Sequence, residues 1–549
     1  MTRSESDRLA TRDLAVVWHP CTQMHDHETL PMLPIARAEG AWLHGFDGRR
    51  WLDAVSSWWT CLLGHRHPRV VAALKDQLDR LDHVMLAGFT HEPAIELAEE
   101  LVRIAPRGAG PSGAPRAASS VTSGNRDGAF VDHPGHAPFS LRQLPPLARG
   151  KRSEMSPQDG KDPHAPSPAS GAHSFFPSPA SGGRCPEGGR GPTAQPPESH
   201  DTAPLARVLY ADNGSAAIEI ALKLSFHYWR NLGLGARRRF IALTGGYHGE
   251  TLGALSVTDV PLYRETYAPL LMQPIFAPSP DAYEAEPGES AADCARRRLR
   301  ELRAILDRHA HECCAVIVEP LVQCAGGMRM HDASYLAGLR ALCDEYDIHF
   351  IADEIAVGFG RTGTLFACEQ AGVAPDFLCL SKGLTGGTLP LSAVLTTDRV
   401  YEAFYAEHAA GKAFLHSHSY TGNPIACRAA LATLSVLRDE PVLARNRELG
   451  THLDRALECF ADHPHVGDVR RTGMIAAIEL VADRRTRTHF PAHERRGLRV
   501  YRHGLDHGVL LRPLGNVVYF MPPFCITPEE IDTMVAVAAD GIECAVRGQ

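Results

Sequence analysis

The sequence predicts an α/β fold: a mostly parallel central sheet with helices on both faces, and a smaller α+β domain contributed by both termini. Three observations carry that expectation. Short apolar runs at Arg207–Tyr210, Ile241–Leu243, Ala315–Val318, Phe350–Ala352 and Phe377–Leu380 are too short for helices. Gly, Pro or acidic turn residues bound them, as expected of buried strands. Amphipathic stretches long enough for crossover helices lie between several of them, which is the spacing of a parallel sheet. From about Val442 the pattern changes to helices with a short strand at Ile475–Leu480.

Taken in order, residues 1–105 form an N-terminal segment and the start of the large domain. Short strands are expected around Ala41–His44 and Arg50–Asp53, with Asp47-Gly48 as the hairpin turn, and then a helix from about Pro68 to Leu81. Residues 106–204 differ. They are rich in Pro, Gly, Ser and Ala, lack periodicity, and contain PSPASG at both 166–171 and 177–182. Such composition buries too little apolar surface to offset the entropy of ordering, so this stretch is expected to be a disordered insertion. The large domain resumes over 205–440, and 441–549 make the C-terminal small domain.

Composition narrows the function classes. The 549 residues are 44% hydrophobic and 22% charged, as in ordinary globular proteins. A net charge of −8 gives no case for a nucleic-acid or membrane partner. The 14 cysteines are dispersed without a CxxC pair, which points to reduced thiols in a cytoplasmic protein. The 29 histidines contain no HExxH pattern, so no metal is expected. The N-terminus is charged and lacks an apolar core, and no run of 18 apolar residues occurs, so neither an export nor a spanning segment is expected.

The chemistry concentrates in His349–Gly383, HFIADEIAVGFGRTGTLFACEQAGVAPDFLCLSKG. One strand delivers Asp353 and Glu354 at its C-terminal end; the next delivers Ser381, Lys382 and Gly383. In open α/β sheets that edge is where ligands bind, so a carboxylate and an amine share one crevice. The chain has six lysines, and only Lys382 follows a buried strand and precedes glycines. A buried lysine beside an acid suits Schiff-base chemistry with pyridoxal 5'-phosphate, the acid pairing with the ring nitrogen so that the ring withdraws electrons. Upstream, ADNGSAAIEIALKL reads as a strand, a tight turn and a helix. The amides of Gly214 and Ser215 at that helix start can bind phosphate, aided by the helix dipole.

ADEIAVGFGRTG followed by PDFLCLSKG resembles the signature of the class III aminotransferases, pyridoxal-phosphate enzymes of fold type I. Similarity extends over nearly all of the chain outside the insertion. The resemblance implies that Tyr247 stacks on the cofactor ring, that Glu319 and Gln323 flank it, and that Trp58 and Trp59 line the substrate pocket with Gly383. Arg361 would orient substrate or serve in an ion pair. Arg512, in LLRPLGNVVYFMPPF, would bind a substrate carboxylate through its bidentate fork, with Tyr519 nearby. Ser419 would reach the cofactor phosphate of a neighbouring subunit, implying a homodimer with active sites at the interface. Within the family, Trp58-Trp59 and the Arg512 segment resemble the branch acting in biotin synthesis. Its members pass an amino group from S-adenosylmethionine, or in a few relatives lysine, to 8-amino-7-oxononanoate, giving 7,8-diaminononanoate. Family members often carry Tyr where this chain has Cys21, and Asp where it has Glu250. The alternatives are a transaminase of ω-amino acids or diamines, and, more remotely, a non-catalytic regulator that binds the cofactor.

Overall fold

Seven short strands form the central sheet, four of them buried along their whole length. Their spatial order is Leu205–Ala211, Ser392–Thr397, Phe377–Leu380, His349–Asp353, Cys313–Val318, Arg239–Leu243, Ile275–Ala277. The last five pair in parallel; Ser392–Thr397 runs against both of its neighbours. Alternate side chains feed two separate cores. Phe350, Leu378 and Leu395 join one, while Ile351, Phe377 and Val394 join the other, with the helix Gly214–Asn231 packed on the latter. A strand buried on both faces must be apolar throughout, which is why these segments appear as continuous runs.

The computed structural model describes residues 5–30, 32–108 and 204–547; apart from its outermost residues, the insertion expected at 106–204 lies outside the described residues. Both ends of the chain contribute to a second sheet. Ile35–Glu39, Trp42–Gly45 and Arg50–Asp53 pair antiparallel in sequence, and Val509–Leu510 adds in parallel to Arg50–Asp53. A further antiparallel sheet is centred on Ile475–Asp483, flanked by Val466–Thr472 and Val517–Phe520. The helices Val442–Leu457, Arg496–Asp506 and Pro528–Arg547 accompany it. The helix expected to reach Leu81 ends at Leu78. Among the described residues no helix is long and apolar enough to cross a membrane, and the cysteines are free thiols.

Candidate active site

Parallel strands put their C-terminal ends on one edge, and the loops leaving that edge build an open cleft of about 270 Å³. Asn213–Ser215 follow Leu205–Ala211, Tyr247–Gly249 follow Arg239–Leu243, and Glu319 follows Cys313–Val318. Asp353 ends His349–Asp353 and Ile355–Val357 follow it, Lys382 follows Phe377–Leu380, and Trp59 reaches in from the N-terminal segment.

Lys382 sits deep in the cleft with φ of +40°, a backbone region that side chains resist and that marks functional sites. Among the described residues its amine makes no hydrogen bond or ion pair, and it lies 4.7 Å from the centre of the Trp59 ring. Burial lowers its pKa, with Cys324, Asp353 and Glu319 pulling the other way, so the free-base form is more accessible than for a surface lysine. Asp353 is buried and held from two sides: its Oδ1 accepts from the Ile355 amide at 3.1 Å, and its Oδ2 lies 2.7 Å from His248 Nδ1. Glu319 accepts from the amides of Tyr247 and Cys324, both at 2.9 Å, which fixes the Tyr247 turn. Burial pushes this carboxyl up to about 7.

The phosphate cup is a helix start. Asn213 caps it, its Oδ1 accepting from the Ala216 amide at 3.0 Å. The Gly214 and Ser215 amides have no acceptor among the described residues. Ser215 Oγ accepts from the Glu250 amide at 3.1 Å, which ties the Tyr247 turn over the cup. Gly249 sits at φ +132°, and a Cβ there would lie 2.2 Å from Ser215 Oγ, so only glycine closes this corner. An anion-binding helix terminus, an unpartnered lysine amine and a buried carboxylate thus face one cavity. That combination fits pyridoxal phosphate: Gly214 and Ser215 for its phosphate, Lys382 for its aldehyde, Asp353 for its ring nitrogen, Tyr247 for its ring face.

Trp59 donates from Nε1 to Tyr519 Oη at 3.0 Å, and the two rings meet edge to face; Tyr519, Trp58 and Arg512 are themselves outside the cleft lining. The Arg512 guanidinium lies 4.2 Å over the Trp58 ring and, among the described residues, makes no hydrogen bond or ion pair. Tyr247 Oη donates to Glu250 at 2.8 Å, and its ring packs 5.2 Å from Tyr263, whose hydroxyl is 3.5 Å from Cys21 Sγ.

Several expected residues, Arg361, Gly383 and Ser419 among them, lie outside the lining of this cleft. Arg361 is buried and pairs with no carboxylate. It donates to the carbonyls of Pro522 (2.6 Å) and Trp59 (3.5 Å) and lies over Phe524, with burial pulling it down to about 10. Gly383 faces Leu62 and Phe359 rather than the cavity, and Gly387 makes room for the Thr60–Cys61 backbone, so these glycines admit the chain's own N-terminal segment. Ser419 is exposed on the connection before the helix Pro424–Asp439. Gln323 is also outside the lining, its amide engaged by Thr244 and Ser279.

His248 was not singled out in the sequence. It touches Asp353, lines the cleft, and leaves Nε2 buried without a partner. A histidine beside Tyr247 in a Gly-rich turn after a strand was the available signal. Asp53 and His65 were also passed over. They pair at 2.9 Å, Asp53 buried and His65 partly so, and Asp53 also binds Ser57, next to the two tryptophans. Burial draws His65 down, but its bonds to Asp53 and Cys61 outweigh this and hold it at about 10.

The chain is similar to known proteins over most of its length. The model of the family described as aminotransferase class-III matches residues 23–119 and 197–540. The chain is 38% identical over 534 residues to the adenosylmethionine-8-amino-7-oxononanoate aminotransferase of Nitratidesulfovibrio vulgaris, covering 97% of this chain and 81% of that protein. The enzyme of the same name from Geobacter sulfurreducens is 37% identical, with 99% and 98% covered. Among solved structures, that of the same-named enzyme from Methanocaldococcus jannaschii superposes with a TM-score of 0.76 at 31% identity, covering 98% of this chain and 99% of that one. An omega transaminase from Pseudomonas jessenii in complex with PMP reaches 0.77 at 26% identity, with 98% of each chain covered. With the family model matched on both sides of the insertion and full-length relatives above 30% identity, the chain belongs to the class III aminotransferases, pyridoxal-phosphate-dependent enzymes.

Proposed function

We propose that this chain transfers the amino group of S-adenosylmethionine to the ketone of 8-amino-7-oxononanoate, giving 7,8-diaminononanoate in biotin synthesis. The observation that carries this reading is a pair of cations on adjacent tryptophans, Lys382 in the cleft against Trp59 and Arg512 over Trp58, neither with a hydrogen bond or ion pair among the described residues. A ketone presented to Lys382 and a carboxylate presented to Arg512 describe a long oxo-acid.

Pyridoxal phosphate, when bound, supplies an electron-withdrawing ring and carries the amino group between the two substrates. The protein contributes the rest. Lys382 is the attachment point and, once freed, the base that takes and returns a proton at the substrate carbon; burial favours the neutral amine this needs. Asp353, fixed by His248 and the Ile355 amide, keeps a proton on the ring nitrogen. Gly214 and Ser215 hold the phosphate, and Tyr247 bears on the ring face. Trp58, Trp59 and Tyr519 wall the substrate channel and exclude water from it. We assign Arg361 to positioning, since it grips the Trp59 carbonyl.

The reading extends to a cytoplasmic homodimer in which Ser419 reaches the partner's cofactor phosphate. Supporting it, Met85, Phe89, Leu415 and Tyr420 leave apolar surface exposed around that segment, where His83 and Tyr420 rings adjoin.

The test is spectroscopic. The cofactor-loaded protein should be yellow, bleach on adding S-adenosylmethionine, and recover on adding 8-amino-7-oxononanoate. A yellow protein that ignores S-adenosylmethionine but bleaches with lysine moves the donor assignment. One that bleaches only with ω-amino acids or diamines overturns the reading in favour of the wider transaminase class.

A further inference from the structure

Trp58 and Trp59 hang on a backbone that L-residues resist. Ser56, Ser57, Trp58 and Trp59 have φ of 49°, 44°, 69° and 74°, a full turn in the left-handed region, where Cβ crowds the following carbonyl. The turn closes through its own backbone, with the Trp59 amide on the Val55 carbonyl at 2.9 Å, but such a bond does not select handedness. Its ends are tied elsewhere: Ser56 Oγ donates to the Met521 carbonyl at 2.7 Å and Arg361 reaches the Trp59 carbonyl.

The middle of the turn is held chiefly by Asp53, with the Thr60 hydroxyl donating to the Ser57 carbonyl at 3.2 Å. Asp53, wholly buried at the end of its strand, accepts from the Ser57 amide at 2.9 Å and the Ser57 hydroxyl at 2.7 Å. Its Oδ2 also meets His65 Nε2 at 2.9 Å, and Oδ1 takes the Val55 amide at 3.3 Å. His65 is anchored in turn, exchanging backbone bonds with Gly40 and placing Nδ1 3.5 Å from Cys61 Sγ.

We infer that the Asp53–His65 pair is a positioning device: it locks the left-handed turn so that Trp59 faces the Lys382 amine while Trp58 faces Arg512, setting the distance between the two ends of the substrate site. The inference rests on reading the two tryptophans as substrate walls. Cys61, His65 and Asp53 stand in the order of a nucleophile, base and acid, but Cys61 is buried and the Gly387 backbone packs against it, leaving no room for an acyl group. The histidine therefore serves to orient the carboxylate that grips Ser57.

The test uses the full chain without cofactor, labelled with fluorotryptophan. Fluorine NMR should show a resonance for each of the six tryptophans, those of Trp58 and Trp59 being assigned from Trp58→Phe and Trp59→Phe. Asp53→Asn should shift or split these two and leave the other four in place. In the loaded enzyme the same substitution should raise KM for 8-amino-7-oxononanoate roughly tenfold, about 1.4 kcal/mol, with a much smaller change in kcat. His65→Leu should follow Asp53→Asn, and His65→Gln, which keeps a donor towards Asp53, should stay close to wild type. If Asp53→Asn does not fold, His65→Leu carries the test. Unchanged Trp58 and Trp59 resonances in the variants that fold overturn the inference. So do changed resonances with an unchanged KM, in a protein where Trp59→Ala does raise KM. If Trp58→Ala and Trp59→Ala both leave KM alone, the substrate-wall reading falls, and the NMR result still decides the inference.

Discussion

Replacing Arg512 with glutamine separates carboxylate recognition from a scaffold role. In the free chain the guanidinium lies 4.2 Å over Trp58 and pairs with no acid among the described residues, so none of those is orphaned when it is removed. A hydrogen-bonded ion pair to a substrate carboxylate contributes about 1.5–3 kcal/mol. At about 1.4 kcal/mol per decade, Arg512→Gln should raise KM for the oxo-acid roughly 10- to 150-fold. The reacting ketone is at the other end of the site, so kcat should change by less than about threefold, the signature of lost uniform binding. Arg512→Lys should fall between, keeping the charge and losing the fork. Steady-state kinetics on the acid and on its methyl ester provide the assay. The ester should bind poorly to wild type and lose little more in the variant, because the two changes remove the same contact. Thermal melting is the control, and the variant should melt close to wild type. A KM rise under about threefold, or a substantial loss of stability without a KM effect, refutes the reasoning.

Three other outcomes are expected. Asp353→Asn should leave the yellow colour of the loaded protein but lower kcat by roughly 10²–10³, the scale of losing a preorganised electrostatic contact; turnover within tenfold of wild type would remove Asp353 from its proposed role. Glu354 is fully buried against the Ala367 and Cys368 amides, and burial pushes it from 4.5 up to about 7. The unfolded chain therefore ionises first as pH rises. This group costs nothing below 4.5, and its penalty is complete above about 7, where at about 1.4 kcal/mol per pH unit it amounts to roughly 3 kcal/mol. Denaturant titrations of cofactor-free protein should show Glu354→Gln flattening the fall in stability between those limits, and an unaltered slope would sink the argument. Deleting 109–203 should leave melting temperature and kcat close to wild type, since α-helix Glu92–Ile104 and strand Leu205–Ala211 remain to be joined by a short linker; an inactive but folded deletion variant would show that the insertion matters.

The parallel core was legible because strands buried on both faces carry their burial in their own composition: Cys313–Val318 and Phe377–Leu380 are apolar throughout, and His349–Asp353 is apolar between its terminal His and Asp. That class also placed Lys382 and Asp353 at one edge, since parallel strands end together. Strand direction has no such local mark, and Ser392–Thr397, the strand that runs against its neighbours, was not foreseen from sequence. Partners of buried polar groups were equally hidden. His248 finds Asp353 across 105 positions, and Arg361 finds the carbonyl of Pro522 rather than the carboxylate its charge suggested. Asp53 lies four residues from Ser57, yet the left-handed turn between them also depends on His65 and Met521. Hydrophobic burial is written residue by residue along the chain because it needs only the absence of water. A hydrogen bond needs a particular atom at a particular angle, and only the folded chain brings that atom there.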